Sequence, residues 1–155
     1  MAVHVNRRGE AWMVDVGGKA VTRREAVAFG RVTMSRAAAR VLRSGKLKKG
    51  DALAAARLAG IQAAKRTSEW IPLCHPLALD HVEVRLTTRI DGVCVEATVR
   101  TSGRTGVEME ALTAVSAACL TLYDMLKSED RAMIIGPIRL EKKSGGRSGD
   151  YRRKK

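Results

Sequence analysis

At 155 residues and 45% hydrophobic content, the chain has the length and apolar fraction of one globular domain with its own core, which excludes a disordered polypeptide and leaves little room for two domains. There is no apolar run of about 18 residues and no apolar leader, so neither a membrane span nor a secretory signal is expected. The net charge of +13 invites a nucleic-acid reading, but residues 142–155 carry seven Lys/Arg against one Asp, and aromatics are only 3%. Stacking platforms for bases are therefore scarce, and a polyanionic small molecule suits the charge at least as well as DNA or RNA.

The first 18 residues lack periodicity and end in "DVGGK", which reads as an extended arm. "AVAFGRVTM", 26–34, reads as a strand interrupted by Gly30. "SRAAARVLRSG" is a short helix with Ser35 as N-cap and Gly45 as C-cap. Asp51 caps a second helix, "ALAAARLAGIQAAKRT", whose seven alanines between 52 and 64 call for another backbone packed very close. Residues 78–89 and 93–101 are strands joined through Asp91-Gly92, a hairpin signal. Residues 110–127 form the strongest helix, with Leu112, Val115, Cys119, Leu122 and Leu126 as its apolar stripe. "RAMIIGPIRLE" is a last strand, which Pro137 places at an edge or a bulge, and 144–155 is a basic, flexible tail. The order is βαββαβ with one helix added: one α+β domain over 1–155, a ferredoxin-like sandwich with an antiparallel sheet and helices on one face.

Three stretches carry chemistry. In "IPLCHPL", Pro72 and Pro76 push Ile71 and His75 toward extended geometry, where neighbouring side chains point to opposite faces. Cys74 is then expected in the core and His75 outward, with a hydrogen-bonded loop histidine as the plain alternative. Glu108 and Glu110 suit a helix N-terminus on dipole grounds alone; both reach one site only if the helix begins near Glu110, since inside it they diverge by roughly 200°. Asp124 and Lys127, at i and i+3, make an ordinary surface ion pair in isolation. Yet Glu110, Thr113, Ala117, Thr121 and Asp124 share a small, polar side of the helix that suits a ligand or a packed neighbour. Glu110 and Asp124 stand about 21 Å apart along it, so a site using both is expected to lie between subunits. Lys49, Lys65, Arg66, Arg24 and Lys143 are the basic candidates, each more often a solvated charge. The three cysteines are odd in number, widely spaced and without C-x-x-C, which favours a reducing, cytoplasmic compartment over disulfides or a zinc ribbon. No metal site is expected, because His75 has no second ligand at a suitable spacing.

Taken together, "MVDVGGKAVTRREA", "KGDALAAARLAGIQAAKRTSEWIPLCHPL", "TGVEMEALTAVSAACLTLYDMLK" and "IIGPIRLEKKSGGRSGD" resemble the molybdenum cofactor biosynthesis protein C family, the cyclic pyranopterin monophosphate synthases, over residues 9–151. The resemblance implies a phosphorus–oxygen lyase. It would convert 3′,8-cyclo-7,8-dihydroguanosine 5′-triphosphate, a cyclised dihydro-GTP, to cyclic pyranopterin monophosphate with release of pyrophosphate. It also implies a ferredoxin-like fold and a homohexamer, a trimer of dimers with intersubunit sites. No cofactor is required, Mg²⁺ being a possible companion of the triphosphate. By the same resemblance Asp124 and Lys127 are catalytic, and the substrate-binding positions are Leu73, Cys74, His75, Glu108, Met109, Glu110, Lys49, Lys143, Arg24 and Asp15. A ferredoxin-like nucleic-acid-binding module is the rival reading, and it leaves "LCHPL" and the carboxylates unexplained, since glutamates repel phosphate.

Overall fold

A computed structural model of the chain describes Val5 and residues 8–154. The elements in chain order are β1 (Thr22–Thr33), α1 (Arg36–Ser44), α2 (Ala52–Lys65), α3 (Thr67–Trp70), β2 (His81–Arg89), β3 (Gly92–Gly103), α4 (Glu108–Leu126), β4 (Ile134–Ile135), β5 (Arg139–Ser144) and β6 (Tyr151–Arg152). The sheet runs β2-β3-β1-β5-β6 with β4 paired to β1, and every pairing is antiparallel. This is the expected α+β, ferredoxin-like order. Of the extended arm, residues 1–4, 6 and 7 lie outside the described residues; the remainder up to β1 forms one isolated bridge, Val5 with Ala11, and a turn.

Local chemistry sets the helix ends. Ser35 Oγ accepts from the Ala38 amide, Gly45 takes the left-handed conformation that ends α1, and Asp51 Oδ1 accepts from the amides of Leu53 and Ala54. Alternation sets the strand faces: Ala26, Ala28, Gly30 and Val32 of β1 are buried while Val27, Phe29 and Arg31 are only partly covered. The helices cover the buried face. The stripe of α4 lies in the core, with Val115, Cys119, Leu122 and Leu126 fully buried. By length and composition α4 is apolar enough to cross a bilayer, but its apolar side is spent on the sheet.

The alanine-rich face of α2 does meet a backbone. A Cβ added at Gly60 would stand 2.9 Å from the Ala114 carbonyl oxygen of α4. At the far end Lys49, just ahead of α2, reaches Asp124 near the end of α4, so the two helices run antiparallel.

Several boundaries differ from the sequence reading. β1 begins at Thr22, and Gly30 does not interrupt it: the strand pairs with β3 over its whole length, and the missing side chain makes room for Val115, whose methyl would lie 2.4 Å from a Cβ there. The hairpin loop is Ile90-Asp91, one residue earlier than the Asp91-Gly92 signal, and β3 starts at Gly92, where a Cβ would run into the Val32 carbonyl. α3 was not anticipated. The last strand is two strands, parted at the cis Gly136-Pro137 bond. The tail expected to be flexible folds back, with Lys142 and Lys143 of β5 pairing with Arg152 and Tyr151 of β6.

Candidate active site

Two groups of side chains gather at opposite ends of α4. At its N-terminal end a cavity of about 360 Å³ is lined by Leu73, Cys74, His75, Glu108, Met109 and Glu110, together with Val14, Val16, Lys19, Leu77, Thr105 and Gly106. Six of the ten residues expected to bind substrate therefore face one space. The arm and the turn before α4 supply the walls that sequence reasoning missed. The arm's only signal was its lack of periodicity, and its contacts are long-range.

The proline segment differs in detail from the extended run expected. The Cys74 amide donates to the Ile71 carbonyl at 3.0 Å, so Ile71–Cys74 is a tight turn. A turn breaks strand alternation, and Cys74 and His75 consequently border the same cavity instead of opposite faces. Cys74 is half-buried, and burial, then the neighbouring Glu110, push its thiol up. His75 Nε2 donates to the Val14 carbonyl at 2.8 Å. A carbonyl only accepts, so this contact fixes a proton on Nε2.

α4 begins at Glu108, two residues before the start that a shared strand-like face would need. Glu108 and Glu110 do diverge around the helix, and their surroundings differ accordingly, yet both reach the cavity because it wraps the helix end. Glu108 is partly exposed and pairs with Lys143, whose Nζ lies 3.1 Å from its Oε1 and donates to Ser148 Oγ at 2.7 Å. Glu110 is only 4% exposed, and its carboxyl is pushed up to about 7, first by burial and then by the charge of Glu108.

Arg24 sits beside this end. Its Nε and Nη2 donate to the carbonyls of Gly103 and Arg104 at 3.0 and 3.2 Å, and its guanidinium packs against Gly146. It thus ties the turn before α4 to the loop after β5. Asp15 is exposed in the arm and accepts from the Gly17 amide at 2.7 Å. Its neighbours Val14 and Val16 line the cavity, while Asp15 itself does not.

The second group holds Asp124, Lys127 and Lys49. Lys127 Nζ lies 2.7 Å from Asp124 Oδ1, and Lys49 Nζ lies 3.1 Å from Oδ2 and 2.6 Å from the Asp124 carbonyl. Its two lysines, Lys127 first, hold the Asp124 carboxyl below its ordinary value, and Asp124 raises Lys127. Both members are therefore charged at neutral pH, and the ammonium has a proton to give. About 21 Å of helix separates this group from Glu110, so within one chain the structure does not bring the two together. Among the described residues, no three His, Cys, Asp or Glu side chains converge to hold a metal ion.

Residues 13–146 match the model of the MoaC family. The chain belongs to the MoaC family. It is 59% identical over 153 residues to a protein of Parvibaculum lavamentivorans, a match that covers 97% of this chain and 96% of that one. It is 60% identical over 150 residues to one of a Roseiflexus species, at 96% and 95% coverage, and 59% identical over 152 residues to one of Chloroflexus aurantiacus, at 97% and 93%. All three carry the name cyclic pyranopterin monophosphate synthase. The family match takes in both ends of α4, and with them Asp15, Arg24, Lys49 and Lys143.

Proposed function

We propose that this MoaC-family chain is a cyclic pyranopterin monophosphate synthase, a lyase of molybdenum cofactor biosynthesis that converts 3′,8-cyclo-7,8-dihydroguanosine 5′-triphosphate to cyclic pyranopterin monophosphate and pyrophosphate. The observation that carries the reading is the near-full-length identity of 59–60% to proteins of that name. The cavity at the head of α4 supports it chemically. It offers carboxyl groups, an imidazole and apolar walls, the mixture that a heterocycle with ring N–H groups and a phosphate tail requires.

Lys127 serves as a general acid in the ring rearrangement, and Asp124 holds its ammonium in place. The sequence reading allowed Lys127 either direction of proton transfer; paired with Asp124 it is an ammonium, which has a proton to give at the outset. Lys49 adds positive charge beside that pair, and Lys143 beside Glu108, so each end of α4 has a cation to meet a leaving phosphate. No resident cofactor takes part, and any Mg²⁺ arrives with the triphosphate. The site is completed between subunits, because one chain leaves its two charged groups a helix length apart; the assembly that the family resemblance implies is a homohexamer, a trimer of dimers, and the compartment is the cytoplasm.

The direct test is incubation of the protein with the cyclised dihydro-GTP, scoring pyrophosphate and the pterin product. No turnover by a folded protein overturns the assignment. For the shared site, inactive Lys127→Ala and Glu108→Gln chains are co-refolded. Activity regained in the mixture supports a site composed from two chains, and a fully active monomer in light scattering refutes it. The nucleic-acid alternative loses ground, since one face of Phe29 on the central strand is already covered by the Arg139 guanidinium, 4.5 Å from the ring centre.

A further inference from the structure

The two glutamates at the head of α4 line one cavity in unlike environments. Glu108 has a cation, Lys143. Among the described residues Glu110 has none: it is 4% exposed, and its carboxyl is bonded to no described residue but its own backbone N–H. The groups facing it from the packed elements offer no compensation. Cys74 and His75 come from the proline turn, and the imidazole's Nε2 proton is committed to Val14. Lys19, from the arm, lines the cavity and pairs with neither glutamate, and Asp15 beside it is turned onto the Gly17 amide. Lys65 and Arg66 at the end of α2 are exposed and make no ion pair with it, and Glu69 of α3, also exposed, is another carboxyl group. The charge it does feel is Glu108, of the same sign. A buried carboxylate without a cation costs several kcal/mol, which holding a proton avoids.

We propose that Glu110 enters the substrate complex as a neutral carboxylic acid and donates a hydrogen bond to an acceptor on the substrate's ring, while Glu108 remains a carboxylate. This rests on the synthase reading, which supplies the ring. Two carboxyl groups whose surroundings drive them to opposite protonation states are an acid and a base by construction. The 2-amino-4-oxo pyrimidine portion shared by guanine and pterins offers an oxo acceptor as well as N–H donors. An ionised Glu110 would set its lone pairs against that oxo group. The neutral acid donates to it and accepts through its own carbonyl.

The test uses protein labelled with ¹³C at glutamate carboxyls, with GTP as the probe. In the free protein, the Glu110 signal, assigned by its loss in Glu110→Gln, is expected to titrate near 7 and to move higher with saturating GTP. A midpoint near 4.5, or one that falls on adding GTP, overturns the proposal. Calorimetry from pH 6 to 8.5 gives the second readout. Relative to Glu110→Gln, whose phosphate-linked pH dependence is the same, parent affinity should fall as pH rises, approaching about tenfold per pH unit above 7. Parallel profiles, or a parent that gains on the variant as pH rises, refute it. Failure of the synthase reading is a separate result, namely no turnover of the cyclised substrate by the parent at any pH.

Discussion

Gly60 lies in the interior of α2, where a helical glycine replaced by alanine ordinarily gains about 1 kcal/mol. Here the sign should reverse. The new Cβ would lie 2.9 Å from the Ala114 carbonyl oxygen and 3.1 Å from one methyl of Val84. The valine is packed on β2 and the carbonyl belongs to α4, so relief requires α2 to back away by a few tenths of an ångström along its whole contact. Overpacking of this kind costs about 1–3 kcal/mol, which leaves Gly60→Ala less stable by about 1 kcal/mol. Urea unfolding followed by circular dichroism should show a lower midpoint with an unchanged slope. A variant as stable as the parent, or more so, would mean that the helices are not in backbone contact at this point.

Lys127→Ala should lower turnover by about 10²–10⁴ while leaving the fold intact, the usual contribution of a general acid, as a pyrophosphate assay would read. Gly92→Ala would place a methyl against the Val32 carbonyl, and a loss of about 3 kcal/mol in chemical denaturation is expected. Glu110 is raised from 4.5 to about 7, so its proton favours the folded state fully below pH 4.5, and that contribution is lost as pH rises through about 7. The shift corresponds to about 3 kcal/mol, and Glu110→Gln should lack that decline when unfolding is compared at pH 5 and pH 8. His75→Ala removes the bond to Val14, and hydrogen exchange at residues 16–19 should quicken; unchanged exchange would show that the arm is held by Arg104, which donates to the Lys19 carbonyl.

What could be read in the sequence was what short-range chemistry decides. Ser35, Gly45 and Asp51 mark helix ends because a cap needs only its next few residues, and the alanines of α2 announce a close neighbour whatever that neighbour is. β1 was read too short because its first residues are polar. "TRRE" is strand through pairing with β3, and Glu25 is held there by Arg100 and Lys142, far away in sequence. β6 was hidden for the same reason, since two residues paired through backbone leave no periodicity. The N-cap of α4 is Val107, which makes no side-chain cap bond, so nothing local marked a start at Glu108, two residues before Glu110. The residues of the cavity were legible by family resemblance, but its walls were not. The turn that turns Cys74 inward beside His75 and the arm carbonyl that orients the imidazole are contacts across 3 and 61 positions, and only the fold joins them.

The span from Glu110 to Asp124 is a gauge as well as a support. Fourteen residues of helix return to within about 40° of the starting azimuth, so the two carboxyls project to nearly the same side. Inserting one residue between them would advance Asp124 by only about 1.5 Å but swing it by about 100°, carrying it and Lys127 off the side that Lys49 reaches. The stretch between them therefore has a fixed number of residues as well as a preferred composition. Sequence change there is confined to substitution.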